Sequence, residues 1–491
     1  VRSATTTAAR PKELFDREAE WDALVAFARD PRPGPAVALV TGPRRQGKGF
    51  LLQELTSATG GFYFGAQDVA EAESLRRLGD QLARHTGATR PTRWSCWADA
   101  LDALATLASE HPLPVVIDGF PELVRQSPAL PSAVNGVCRR LREAGRPDRV
   151  RLLLCGSAMP MMRRLLGTAS ASADLQLKIL PLDFRLGARL WSIDDPRLAL
   201  RVHAVVGASP AFRYDPTGDD IPGGPDDFDA WVRRTVLNPR LPLLWKAGHI
   251  IEQEPDGWDR GLCHSTLAAI AEGCSTPGAI ADWLDRPATE VPHILSLLCD
   301  CGLVEGVPDA FRPGVTRYRI TEPLLAFDHA VIRPNRTALG RQGPAEVWKS
   351  ARPVFESTVA RPHFAQVCRD WVTRFAAPDT FGIRPVTASS GSLPGFRGHR
   401  PVDADVVVRG EVHGRAGVLL SVGRACWDEV MDVDHLHEEL QILAELADRG
   451  EDASRARPAC YSAAGFSPRL REAEARGEVV LVDPDRLYHG E

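Results

Sequence analysis

Apolar positions along the chain follow two rhythms. Between residues 13 and 29, Leu14, Trp21, Leu24, Val25 and Phe27 recur at helical spacing and predict an amphipathic helix with its lead-in. After the Pro/Gly stretch 30–35, Ala36-Val37-Ala38-Leu39-Val40-Thr41 is apolar without alternation, the pattern of a strand covered on both faces. Further runs of this kind are Gly61-Phe62-Tyr63-Phe64, Leu113-Pro114-Val115-Val116-Ile117-Asp118 and Arg151-Leu152-Leu153-Leu154-Cys155-Gly156. Helical patterns, notably over 70–86 and 94–110, separate them. Strands alternating with helices predict an α/β fold with a doubly wound parallel sheet over residues 12–240. From His264 the rhythm changes to short helices at 265–272, 276–284 and 288–301, then strands at 302–305 and 316–320. Three helices and a hairpin predict a winged helix-turn-helix over 245–335. The remainder, 345–491, holds a helix at 362–375, a Gly/Ser/Pro loop, and strands at 404–408, 417–422, 458–462 and 479–482.

Three domains suit 491 residues. A hydrophobic share of 44% and a charged share of 25% exclude collagen-like, wholly disordered and disulfide-scaffold chains. The net charge of -5 gives no bulk electrostatic case for nucleic acid. Only five of the 59 basic residues are Lys (12, 48, 178, 246 and 349), which with abundant Ala, Gly and Pro fits codon usage in a high-GC genome. The initial Val fits a GTG start, so a bacterial origin is expected. The ten Cys form no CxxC pair, and Cys299 and Cys301 would point about 200° apart on a helix. Structural thiols in a reducing cytosol are expected. No apolar run suits a bilayer and the N-terminus lacks an apolar signal core, so the expected location is cytoplasmic, with no membrane partner.

Gly42-Pro43-Arg44-Arg45-Gln46-Gly47-Lys48 matches G-x-x-x-x-G-K between an apolar strand and a helix. In such a loop, backbone N–H groups and a helix N-terminus surround a phosphate, and Lys48 neutralises the β/γ oxygens. The expected nucleotide-binding residues are 42–50 (Gly49 and Phe50 completing the loop), Asp118 and Ser157, with ATP as cofactor. The position after Lys48 calls for a Ser or Thr hydroxyl to bind Mg²⁺, and Gly49 offers none. Asp118 ends an apolar strand as a Walker B carboxylate and is the one candidate Mg²⁺ ligand. The Glu that should follow it is Gly119, and Glu122 is a poor substitute by position. Ser157 follows the 151–156 strand, where a polar sensor of the γ-phosphate belongs. Arg44, Arg45 and Arg185 are candidate phosphate contacts or ordinary ion-pair partners.

Several segments occur in a recognisable order: Leu14-Phe15-Asp16-Arg17-Glu18-Ala19-Glu20, the phosphate loop, Asp118-Gly119-Phe120-Pro121, and Cys155-Gly156-Ser157 with Met161-Met162. Pro181-Leu182-Asp183-Phe184-Arg185 and Gly207-Ala208-Ser209-Pro210-Ala211-Phe212 follow, and then Tyr318-Arg319-Ile320-Thr321-Glu322-Pro323. In these segments the chain resembles the archaeal-type AAA+/STAND-like P-loop ATPases of prokaryotes, over nearly its whole length. That family carries a winged helix and a C-terminal α/β restriction-endonuclease-like domain of the PD-(D/E)xK kind.

The resemblance also marks losses. In Val402-Asp403-Ala404-Asp405-Val406, Asp405 is a residual nuclease position, but the G-E-A-K-W of such enzymes reads Gly423-Arg424-Ala425-Cys426-Trp427. Ala365 replaces a helical Glu in His363-Phe364-Ala365. Arg424 would repel a cation that Asp405 attracts, so nuclease activity is not expected. The segment 288–302 has no Lys or Arg and includes Glu290 and Asp300, and Pro292 is expected to interrupt any long recognition helix. Arg312, Arg317 and Arg319 leave weak DNA phosphate contact open. The resemblance and its losses imply an ATP-binding regulatory or scaffolding protein with weak or absent hydrolysis, acting with a protein partner or by self-association. The alternative is a functional ATPase coupled to a DNA-binding transcription or defence regulator.

Overall fold

Residues 9–145, 149–157, 162, 173–252, 259–395 and 401–490 are described in this computed structural model. They form two compact units, Val1–Pro181 with Asp300–Gly302, and Leu182–Cys299 with Leu303–Glu491. Met161 of the resemblance lies outside the described residues.

In the first unit the elements are α1 (Glu18–Arg29), β1 (Gly34–Thr41), α2 (Lys48–Thr59), β2 (Phe62–Gly65), α3 (Glu71–Thr86), α4 (Trp97–Glu110), β3 (Pro114–Asp118), α5 (Phe120–Gln126), α6 (Leu130–Glu143), β4 (Arg149–Gly156) and β5 (Leu175–Lys178). The strands form one sheet in the order β2-β3-β4-β1-β5, every pair parallel. Alternate residues of each strand enter different cores. Leu39, Val115, Ile117, Leu152 and Leu154 pack with residues of α3, α4 and α6, while Ala38, Val40, Val116, Leu153 and Cys155 pack with α1 and α2. Helices on both faces explain why the strands read as unbroken apolar runs. The doubly wound expectation therefore holds for this sheet. β5, which the apolar runs did not predict, is a four-residue edge strand, Leu-Gln-Leu-Lys, half-buried and exposed in alternation.

The second unit continues with α7 (Phe184–Leu190), α8 (Pro196–Val206), α9 (Phe228–Arg234), α10 (Pro242–Gly248), α11 (Arg260–Ala271), α12 (Pro277–Leu284) and α13 (Val291–Asp300). An antiparallel hairpin of β6 (Val304–Pro308) and β7 (Thr316–Ile320) follows. Pro292 does not interrupt α13. It lies in the first turn, where a missing N–H costs no helical hydrogen bond. After α14 (Pro323–Phe327) and α15 (Arg336–Val354), α16 (Arg361–Arg374) leads into β8 (Pro385–Leu393), β9 (Val402–Val412) and β10 (Arg415–Cys426). The chain ends with α17 (Val433–Asp448), β11 (Arg457–Ser462), α18 (Pro468–Ala475), β12 (Val480–Val482) and α19 (Pro484–His489).

These last strands form a mixed sheet, β12-β11-β10-β9-β8, with β8, β9 and β10 antiparallel and β10, β11 and β12 parallel. β8 occupies much of the stretch expected to be a Gly/Ser/Pro loop. Its small residues pair in register with β9 (Ser389 with Val407, Gly391 with Ala404), and that pairing supplies what their weak strand propensity does not.

Candidate functional site

Parallel register brings the candidate residues of the first unit to one edge of the sheet. Thr41 lies opposite Gly156, Asp118 opposite Cys155, and Gly65 opposite Asp118. The loop after β1, the end of β3 and Ser157 after β4 are thereby gathered at the carboxyl ends of neighbouring strands, where ligands bind in open α/β sheets.

The loop is held open by backbone geometry. Gly42, Arg45 and Gly47 all have positive φ, at 143°, 67° and 81°. An added Cβ at Gly42 would fall 2.1 Å from the carbonyl oxygen of Ile179, so only glycine allows that approach of loop to sheet. Gly47 caps α2 without a side-chain hydrogen bond, and the first turn of the helix has no acidic residue. The leading N–H groups of α2 have no acceptor within the helix itself, which is how helix N-termini receive anions. Lys48 is buried, and its Nζ donates to the carbonyl oxygens of Gly42 (3.0 Å) and Pro43 (2.6 Å). Gln46 is buried as well, with Oε1 lacking a donor among the described residues, whereas the Phe50 ring is exposed. Strained loop, helix end and lysine together suit a chain of phosphates.

Asp118 sits below this loop. The Tyr63 hydroxyl donates to its Oδ2 at 2.8 Å, and the Gly119 N–H donates to Oδ1 at 2.9 Å. Burial, and then the Asp118 charge, push the Tyr63 phenol well above its ordinary range, so it stays a donor. Burial likewise pushes the Cys155 thiol up, and Asp118 adds to the effect. The sequence reading passed over Tyr63. Its signal was a hydroxyl in an otherwise apolar strand next to β3, the strand that ends in Asp118.

Glu122 is better placed than its sequence position suggested. Gly119 has φ +78° and turns the chain so that an added Cβ there would lie 3.5 Å from Glu122 Oε2. Arg44 donates to the other oxygen, Oε1, at 3.2 Å, while Oε2 is buried with no donor among the described residues. The carboxylate of Glu122 thus stands beside the position where a Glu at 119 would begin. Arg185 belongs to the second unit. There it donates to the carbonyls of Leu487 and Gly490, with its guanidinium 4.0 Å from the centre of the Phe375 ring. These contacts hold its guanidinium against the C-terminal helix.

No family model matches the sequence, and no curated protein matches it. Solved structures give distant likenesses. The ORC2 protein of Aeropyrum pernix, in ADPNP–ADP complexes, is 18% identical with a TM-score of 0.45, covering 70% of this chain and 95% of that one. The ORC1 protein of the same organism, in complex with DNA, is 16% identical with a TM-score of 0.31, covering 67% and 95%. A signal transduction ATPase with numerous domains from Pyrococcus horikoshii, which has a tetratricopeptide repeat sensor, is 11% identical with a TM-score of 0.26, covering 75% and 52%. Likenesses this distant carry no argument about activity.

In the second unit, Asp405 is engaged in structural contacts. Asp405 Oδ2 accepts from the Ala425 N–H across the β9–β10 pair at 2.9 Å, and its backbone oxygen accepts from Arg369 at 2.6 Å. Arg424 pairs with Glu438 of α17 at 2.6 Å. Burial pushes the Cys426 thiol up. Glu439, unforeseen from sequence, is fully buried, and burial raises its carboxyl to about 8 although Arg424 works against the shift. Its signal was position: Leu436, Glu439, Leu443 and Leu446 make one helical face, with a carboxyl in an apolar stripe. Ala365 is buried, and the neighbouring His363 Nε2 lies 2.8 Å from His203 Nδ1. In the hairpin, Arg312 and Arg317 pair with Asp309, and Arg319 pairs with Glu305. Among the described residues no group of three or more His, Cys, Asp or Glu is arranged for a metal ion, no cysteine is in a disulfide, and no helix is long and apolar enough to cross a membrane.

Proposed function

We propose that this chain is an ATP-binding regulatory or scaffolding protein of the AAA+/STAND-like P-loop kind, with weak or absent hydrolysis. The observation that carries the reading is the loop 42–49. Positive φ at Gly42, Arg45 and Gly47, an uncapped α2 and buried Lys48 converge there on the volume a polyphosphate would take. In this reading residues 12–240 are the ATPase domain with its lid, 245–335 a winged helix, and 345–491 a nuclease-like domain without activity. The engaged Asp405 and the Arg424–Glu438 pair support the last assignment. Wing arginines already paired with carboxylates support contact with a protein partner or a second copy over DNA.

Weak hydrolysis follows from Gly49, which supplies no hydroxyl, and Gly119, which supplies no carboxylate. Calorimetric titration with ATP tests the binding half. Micromolar affinity in the wild type and a loss of tenfold or more in Lys48→Ala are expected, and equal affinities would refute the assignment of the loop.

One observation favours the second reading, a working ATPase. Glu122 Oε2 lies beside Gly119, aligned to polarise water once Arg44 releases the other oxygen. Steady phosphate release that Lys48→Ala abolishes and Glu122→Gln lowers by about a hundredfold would establish this reading. No release above background keeps the first.

A further inference from the structure

The floor of the phosphate loop is arranged against a divalent cation. An added Cβ at Gly49 would lie 2.6 Å from Asp118 Oδ2 and 3.6 Å from the Tyr63 hydroxyl. Real Cβ atoms do not approach an oxygen that closely, so the Asp118 carboxylate stands in the volume a Ser or Thr side chain would need. The missing hydroxyl and the displaced carboxylate are therefore one feature seen from two sides. Tyr63 keeps Asp118 there: its hydroxyl donates to the same Oδ2 at 2.8 Å, and the Gly119 N–H donates to Oδ1 at 2.9 Å. Each carboxylate oxygen has a protein donor, and bonds to a charged acceptor are the stronger kind. The sheet fixes the partners, because β2 and β3 pair in register and Tyr63 lies opposite Val116, two residues before Asp118. A metal ion would have to share Oδ2 with the Tyr63 hydroxyl and would find no side-chain oxygen at position 49.

We propose that Gly49 and Tyr63 together withdraw Asp118 from metal coordination, so that this loop takes a nucleoside di- or triphosphate free of divalent cation. Lys48 and the N–H groups of the loop then balance the phosphate charge without a metal. This inference rests on the nucleotide-binding reading above. It also predicts that restoring the consensus at one position alone will not restore metal binding. A Ser at 49 alone meets Asp118, and loss of the Tyr63 hydroxyl alone frees Oδ2 but leaves position 49 empty.

The test is calorimetric titration of the full-length wild type with ATP, in EDTA and in excess Mg²⁺. Tyr63→Phe and the double variant Gly49→Ser/Tyr63→Phe are titrated alongside. The wild-type Kd is expected to agree within about threefold between the two conditions, which is under 1 kcal/mol. The double variant is expected to bind at least about tenfold tighter with Mg²⁺, near 1.4 kcal/mol. Wild-type binding that strengthens tenfold or more with Mg²⁺ overturns the inference while leaving nucleotide binding intact. No ATP binding in either condition overturns the nucleotide reading itself, and this inference with it. The wild-type comparison needs no variant to fold.

Discussion

Single carboxyl groups report most directly on what surrounds them. Glu439 has an ordinary value of 4.5 and is raised by burial to about 8. The sign follows from linkage. A raised folded value means the contribution to stability is fully present below pH 4.5 and is lost as the pH rises through 8. Glu439→Gln keeps the shape of the neutral acid and cannot ionise. The variant should match the wild type near pH 4 and exceed its stability above pH 9 by on the order of 4 kcal/mol. Urea unfolding at a series of pH values measures this, and a difference independent of pH would show that Glu439 is solvated. Tyr63 and Glu122 belong to the same scale. Each is an ordinary residue by sequence, and each acquires a role because an absent side chain at a neighbouring glycine leaves space for a carboxylate.

At the scale of elements, α8 and α16 meet through a pair of histidines. His203 Nδ1 and His363 Nε2 are 2.8 Å apart; burial pushes His203 down to about 4 and His363 well below its ordinary value. Both values are lowered on folding. The stability they contribute is therefore present above pH 6.5 and lost as the pH falls from 6.5 through 4, by about 3 kcal/mol for His203 alone. Thermal unfolding should show a steeper acid decline in the wild type than in a His203→Gln variant. Elements also show how far a sequence can be read. The central strands were legible because burial on both faces leaves unbroken apolar runs in β1, β3 and β4. The edge strand β5 and the small-residue strand β8 were not, because neighbours across the sheet, not their own composition, hold them. Pro292 was misread for a related reason, since its effect depends on where the helix begins. In the site, the loop and Asp118 were visible as a motif, whereas the bond from Tyr63 to Asp118 and the reach of Glu122 emerge only from the fold.

For the whole molecule, net charge and pairing argue together. At -5, with the hairpin arginines paired to Asp309 and Glu305, the chain offers few free cations to a phosphate backbone there. Anisotropy with duplex DNA over a salt series should show weak binding and a log–log slope shallower than about −2. A slope of about −4 or steeper would report several phosphate contacts and revive a DNA-binding regulator.

One apolar core in the second unit draws on residues from Phe184 to Tyr488, including Trp191, Trp231, Trp348, Trp371 and Tyr461. A chain ending at residue 344 would leave Phe184, Phe228 and Phe327 without the aromatic partners that cover them. It should elute as aggregate and lose near-ultraviolet circular dichroism, whereas a fragment that stayed monomeric would contradict the shared core. The C-terminal sheet is therefore a foundation of the segment before it, not cargo attached to it. Such a part needs no reactive group to be impossible to delete, which gives it a reason to persist that owes nothing to catalysis.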